Sequence, residues 1–365
     1  MILQFKDYQV VIEPRPDIRE IYLELSSLCN LNCRHCYRNS WSYRGGLMAR
    51  ETWKKVLAEA KTLPELGRIV LGGIGEPLLH PEIKEIIAQT KEMSLKVSVT
   101  TNGFLLSDDM ARDFVRLGVD EIIVSIDGFM PETFAAYRGA DIGNLWENLK
   151  RVQEIKREYK VSRPEIAAEM VVSKNSYREI FSLIPELMKY DIKALYVSQL
   201  MPVAREKLAE VFYQQCPDEK QQEWRIQVAR ASMYVGLRVY LPEVGLRTHR
   251  SCRFVEGKKI VVRFDGEVSP CYRFLHDSRE YVFGREKKIR AVSFGNVNRE
   301  NLRDIWTKEA FVKFRFLEHM NYYPSCPDCE WVDGCDMVWT SEEDCWGNSP
   351  SCADCLWARG IIFCP

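Results

Sequence analysis

Ile21-Tyr-Leu-Glu-Leu25-Ser-Ser-Leu-Cys29-Asn-Leu-Asn-Cys33-Arg-His-Cys36 sets a short apolar run directly before three closely spaced cysteines. The run at 21–25 is aliphatic and too short for a helix, so it reads as a strand. Five more runs of this kind follow at 68–73, 96–101, 121–126, 165–172 and 194–200. Most are apolar almost throughout, as parallel strands covered on both faces are. Helical patterns lie between them over 50–63, 81–93, 108–117, 144–159 and 177–190, with Pro81 expected in a first helical turn and Ser107 as an N-cap. Right-handed crossovers through such βα units give an α/β fold with a parallel sheet, open or partly closed into a barrel.

Outward from that repeat the character changes. Residues 1–20 precede it as an extension. Pro202 ends the alternation, and 203–236 read as a polar helical connector broken at Cys216-Pro217. From 237 onward come short strands (237–241 and 259–264), turns such as Asp265-Gly266, many aromatics and nine of the 13 cysteines. A segment so poor in regular structure and so rich in thiols is expected to be stapled by metal.

The chain has 365 residues, with 51 Lys and Arg against 52 Asp and Glu. A formal net charge of −1 offers neither a nucleic-acid footprint nor a polybasic membrane surface. No signal peptide and no apolar run of roughly 18–20 residues is visible, so a cytoplasmic protein with no membrane partner is expected. In a reducing compartment, thiols clustered this densely read as metal or iron–sulfur ligands rather than disulfides.

Cys29, Cys33 and Cys36 can fold around one small cluster. A 4Fe–4S cube takes four thiolates, so three leave one iron open to a substrate or cofactor. The alternatives are a structural zinc, or a cluster completed by His35 or a distant cysteine. In the C-terminal part, Cys326-x2-Cys329 and Cys352-x2-Cys355 are also compatible with zinc knuckles. Cys216 stands alone and reads as an inert small hydrophobe.

The C-x3-C-x2-C spacing after a first strand resembles the radical S-adenosylmethionine (SAM) superfamily. Gly72-Gly73-Ile74-Gly75-Glu76-Pro77 after the second strand resembles that family's Gly-Gly-Glu-Pro segment. Thr101-Asn102-Gly103, Val124-Ser125-Ile126-Asp127-Gly128 and Tyr137-Arg138-Gly139 match it at later strand ends. The resemblance implies a partial (β/α)6 TIM-type barrel over 21–202, with a SAM-binding 4Fe–4S cluster on Cys29, Cys33 and Cys36. It implies a SAM site drawn from His35, Gly73, Gly75, Glu76, Pro77, Asn102 and Asp127, with Ser125 and Arg138 for the carboxylate. The Gly-Gly-Glu-Pro turn and Glu76 would take the ammonium.

Cys252, with Gly266 and Cys271 after it, then Cys326-x2-Cys329-x5-Cys335, resembles the SPASM extension of radical SAM maturases. That likeness implies two auxiliary 4Fe–4S clusters in a small α+β domain over 237–365. The expected next cysteine is replaced by Trp339, with Cys345, Cys352, Cys355 and Cys364 available instead. Eight ligands would complete two clusters and nine are present, and the sequence does not sort them. The tail also resembles the radical SAM maturases associated with tungsten-cofactor oxidoreductases. The family likeness implies reductive cleavage of SAM to a 5′-deoxyadenosyl radical, hydrogen-atom abstraction from a protein, peptide or metal-cofactor substrate, and an electron donor such as ferredoxin or flavodoxin. No catalytic side chain is identifiable from the sequence. The competing expectations are a peptide-modifying maturase and a non-enzymatic zinc or iron–sulfur module.

Overall fold

The computed structural model describes residues 1–5, 7–41 and 45–363. A hairpin of Ile2–Phe5 (β1) and Tyr8–Val11 (β2) opens the chain. The expected repeat follows as Glu20–Glu24 (β3), Arg68–Gly72 (β4), Lys96–Thr101 (β5), Glu121–Ser125 (β6), Glu165–Val172 (β7) and Ile192–Gln199 (β8). These six strands lie side by side in chain order, all parallel. Helices Arg50–Ala60 (α1), Ile83–Glu92 (α2), Asp108–Leu117 (α3), Pro131–Arg138 (α4), Ile142–Glu158 (α5) and Ile180–Lys189 (α6) connect them.

Strand alternation explains the two layers. Ile21, Leu23, Ile69, Leu71, Val97, Val99, Ile122 and Val124 are all buried in the main core, which also takes the apolar faces of α1 to α6. The intervening positions form the inner face. Tyr22, Val70 and Val261 are register partners there, packed with Phe254 and Leu275. Ile123, Ala167 and Ala194 form a second such row, with Tyr196 against it. Ser107 caps α3 as expected, its hydroxyl accepting from Met110 N at 3.3 Å.

Three features differ from the sequence expectation. Pro81 lies before α2 rather than within its first turn, because His80 Nδ1 accepts from Glu82 N at 3.2 Å and delays the helix to Ile83. α4, which ends on Arg138, was not expected: its eight residues are too few to show a helical period. The sheet also does not stop at six strands. Beyond Glu219–Val235 (α7), Arg238–Tyr240 (β9) pairs parallel with β8, and Lys259–Val262 (β10) pairs parallel with β3. Val268–Ser269 (β11) then pairs antiparallel with β10, completing a nine-stranded sheet. Segments from beyond the connector thus extend both edges of the repeat. Arg253–Glu256 (α8), the hairpin Ser278–Val282 (β12) and Arg285–Ile289 (β13), Leu302–Thr307 (α9) and Glu309–His319 (α10) complete the chain's regular structure among the described residues.

Candidate functional site

The cysteine loop leaves β3 at the C-terminal edge of the parallel sheet, where α/β ligand sites collect. Two neighbouring strand ends fix it. Glu76 N donates to Leu28 O at 2.7 Å, pulling the 73–76 turn onto the loop. A side chain at Gly75 would stand 2.2 Å from Ser26 O, so only glycine permits that approach. Gly73, at φ +119°, would meet the Glu24 side chain in the same way. From the end of β5, Asn102 Nδ2 donates to Asn30 Oδ1 at 2.8 Å and lies 3.6 Å from Cys29 Sγ.

Arg138, at the end of α4, reaches the same loop. Its Nη1 lies 3.8 Å from Cys33 Sγ, and its Nη2 pairs with Asp127 at 2.6 Å. Asp127 is held from the other side by Val171 N at 2.9 Å. Burial opposes the Arg138 charge, but Asp127 and the Cys33 thiol outweigh it and hold the guanidinium firmly protonated. Arg138 Nε is buried with no partner among the described residues, a donor aimed at a place where an acceptor belongs. Burial raises the Cys33 thiol, against the pull of Arg138, and pushes Cys36 up to about 11. Ser125 ends β6 half-buried at the same edge.

Two expected residues have different surroundings from those anticipated. Glu76 is 1 % exposed and accepts from Leu78 N at 3.0 Å, Thr101 Oγ1 at 2.8 Å and Asn102 N at 2.8 Å. Its carboxylate braces the Gly-Gly-Glu-Pro turn, with Pro77 buried behind it, against the end of β5. The His35 ring packs tilted against Tyr137, centroids 4.4 Å apart, and its Nε2 meets Glu210 at 2.8 Å. Burial lowers its pKa, and the ring anchors the loop to the 205–210 turn. Glu210 also binds Arg34 at 2.5 Å.

Sequence reasoning missed Glu169. It sits inside β7, partly buried, with Ser125 of β6 and Tyr196 of β8 as its cross-strand partners. Burial and the Asp127 charge push its carboxyl up to about 7, while Arg138 pulls it down. A Glu in the middle of the parallel strand Glu-Ile-Ala-Ala-Glu-Met-Val-Val was the available signal, since the interiors of such strands are otherwise apolar. His276 is buried against the fully buried Glu24 carboxylate, at 2.8 and 3.0 Å.

The later thiols fall into two sets of four. Cys252, Cys271, Cys352 and Cys355 line one largely enclosed cavity with Phe274 and Trp357. Burial pushes Cys271 up to about 12 and raises Cys252, Cys352 and Cys355 as well, and Cys252, Cys271 and Cys352 each sense Cys355. The second set is Cys326, Cys329, Cys335 and Cys345, carried on a series of short 3-10 turns between 326 and 338 and on the segment after them. Cys345 lies within electrostatic reach of Cys335 and Cys329, and Cys326 within reach of Cys345. Trp339, where the sequence pattern lost its cysteine, is half exposed. Cys364 lies outside the described residues. No three His, Cys, Asp or Glu among the described residues converge tightly enough for a single metal ion. Thiols spread around a space suit a multi-iron cluster, whose ligands bind separate irons.

Comparison with known proteins agrees with this geometry. Residues 23–171 match the model of the radical SAM superfamily, and 252–330 match SPASM, an iron–sulfur cluster-binding domain. Over 349 residues the chain is 39% identical to the tungsten-containing aldehyde ferredoxin oxidoreductase cofactor-modifying protein of Pyrococcus furiosus, covering 95% of this chain and 97% of that one. It is 27% identical over 344 residues to an AdoMet-dependent heme synthase of Methanosarcina barkeri, covering 87% and 90%. Among solved structures, SuiB of Streptococcus suis bound to S-adenosylmethionine superposes with a TM-score of 0.63 at 16% identity, covering 88% of this chain and 73% of that one. Native anSMEcpe with bound AdoMet gives 0.59 at 18% identity, covering 87% and 88%.

Proposed function

Because the chain belongs to the radical SAM superfamily and carries an iron–sulfur cluster-binding SPASM domain, we propose that it matures a tungsten-containing oxidoreductase by modifying that enzyme's cofactor. It is a SAM-dependent enzyme, and its cofactors are SAM and 4Fe–4S clusters. When bound, the first cluster and SAM supply one-electron reductive cleavage and hydrogen-atom abstraction. The protein's part is placement. Cys29, Cys33 and Cys36 hold the cluster, and Asn102 and Arg138 bracket it from β5 and α4. The protonated Arg138 and its unpaired Nε meet an anionic group, the SAM carboxylate, with Ser125 beside it. Peptide groups of the 73–76 turn, braced by Glu76, face the SAM ammonium.

We assign Cys252, Cys271, Cys352 and Cys355 to one auxiliary cluster and Cys326, Cys329, Cys335 and Cys345 to the other. The barrel then spans 21–202 and the cluster domain 237–365, with 203–236 between them. An acidic low-potential electron donor such as ferredoxin or flavodoxin supplies the electron, and the twelve described cysteines, all free, suit a reducing cytoplasm. No helix among the described residues is long and apolar enough to cross a membrane.

The observation that carries the radical SAM site is the meeting of Arg138 and Asn102 on the sulfurs of Cys33 and Cys29 at the sheet's C-terminal edge. The choice of substrate rests on the 39% identity to the Pyrococcus furiosus protein over nearly the whole chain. Anaerobically reconstituted protein with dithionite and SAM should form 5′-deoxyadenosine. With the tungsten oxidoreductase made in cells lacking this protein, it should also change the mass of the extracted cofactor. An unchanged cofactor, with a peptide modified instead, would overturn the substrate assignment.

A further inference from the structure

Arg273 follows Cys271 by two residues and lines the cavity of Cys252, Cys271, Cys352 and Cys355. It is 2% exposed. Glu280 accepts from its Nε at 3.0 Å and from its Nη2 at 2.5 Å, and Asp354 accepts from Nη2 at 3.1 Å. Both carboxylates are themselves fixed. Tyr37, the residue after Cys36, donates its hydroxyl to Glu280 at 2.8 Å, and Lys287 pairs with Asp354 at 2.9 Å. One edge of the guanidinium is therefore fully engaged and immobile.

The other edge is not. Arg273 Nη1 is buried with no hydrogen-bond partner among the described residues. Buried donors are almost always paired, and a charged one left unpaired keeps its whole desolvation penalty. The missing acceptors are of the kind an iron–sulfur cluster brings, anionic sulfide and thiolate. The guanidinium lies within electrostatic reach of three of the four thiols: burial raises Cys271, Cys352 and Cys355, and the Arg273 charge opposes that rise in each. The same wall holds Glu318, whose Oε2 is also buried and unpartnered. The cavity is therefore not uniformly positive, and a donor on its wall has a specific direction to serve.

We propose that Arg273 is a positioning residue for the auxiliary cluster of this cavity, donating from Nη1 to a cluster sulfur and thereby holding the cluster's reduction potential up. The inference rests on the assignment of these four thiols to a cluster. Hydrogen bonds to sulfur favour the reduced, more negative state and are a main lever on the potential. Low local dielectric strengthens the bond, and the Glu280 clamp keeps it aimed. Through Tyr37 the same clamp is tied to the loop that carries Cys29, Cys33 and Cys36.

The test compares the parent with Arg273→Lys and Arg273→Gln, all with Cys29, Cys33 and Cys36 replaced by Ala so that only the later clusters give EPR signals. Iron is counted first, and about eight irons are expected in the parent. A parent without iron would remove the ligand assignment and this inference with it. With iron retained, Arg273→Gln should lower the reduced-to-oxidised ratio of one cluster about tenfold at fixed potential, ~59 mV for a one-electron couple, and leave the other cluster in place. Arg273→Lys, keeping the charge but not the fork, should give a smaller shift in the same direction. Parent-like potentials in both variants, with iron intact, would overturn the proposal. If the Gln variant holds no iron, the parent labelled with nitrogen-15 arginine decides. Hyperfine coupling from a guanidinium nitrogen to a reduced auxiliary cluster supports the proposal, and no coupling refutes it.

Discussion

Replacing Glu76 separates two roles that its motif could serve. If the carboxylate braces the turn, its loss leaves Leu78 N, Asn102 N and the Thr101 hydroxyl without an acceptor in a place with almost no solvent. Each such orphan costs ~1–3 kcal/mol, but removing the buried carboxylate relieves its own desolvation. A net loss of about 3 kcal/mol is expected for Glu76→Ala. In a protein of this size that lowers Tm by about 4 °C. Glu76→Gln keeps one acceptor oxygen but turns an NH2 toward a donor, so it should lose about half as much. Anaerobic thermal unfolding of the cluster-loaded protein, with SAM titrated in parallel, measures both effects. Bracing predicts that stability falls in both variants and that SAM affinity falls with it, because Asn102 and the loop at Cys29 shift together. If both variants keep the parental Tm and lose only SAM affinity, the carboxylate is an ammonium ligand and the bracing account is wrong.

Ala at Cys29, Cys33 and Cys36 together should remove about four irons and abolish 5′-deoxyadenosine formation in dithionite, with persistent product as the contrary result. Arg138→Ala should weaken SAM binding measurably by calorimetry while iron is retained; it also strands Asp127, so a stability loss of ~3 kcal/mol should accompany it. Ending the chain before Cys345 removes a ligand from one C-terminal set and two from the other, so about eight irons should be lost, whereas Cys345→Ala alone should cost about four. Glu169, raised from its ordinary 4.5 to about 7, contributes stability that is complete below pH ~4.5 and is lost as pH rises through 7. Glu169→Gln should therefore stabilise the SAM-free protein above pH 7, by up to about 3 kcal/mol, and a pH series of denaturant midpoints checks it.

The parallel repeat was legible because both faces of its strands are covered, which writes each strand as a short apolar run between breakers. The three-cysteine loop was legible because its ligands are local. What the sequence left open depends on contacts across the chain. Nothing local distinguishes Cys345 from Cys352. One joins Cys335, ten residues back, while the other returns to Cys252 and Cys271 through the fold. The partners of His35 and His276, Glu210 and Glu24, are 175 and 252 positions away. α4 was missed for a different reason, its shortness, although it delivers Arg138 to the site. β9 and β10 were read as pieces of a separate domain, because a strand of three or four residues carries too little pattern to show which sheet it joins.

The pairing of β10 with β3 has a consequence for biosynthesis. β3 is among the first strands to leave the ribosome, yet the neighbour on its open side arrives only with residue 259. At the opposite edge, Phe363 N donates to the Ser198 hydroxyl at 2.9 Å, across 165 positions of chain. Domains otherwise fold as they emerge, but here both borders of the repeat wait for strands from beyond the connector. The parallel repeat therefore emerges with neither flanking strand in place, and its two edges are closed only once β9 and β10 have been made.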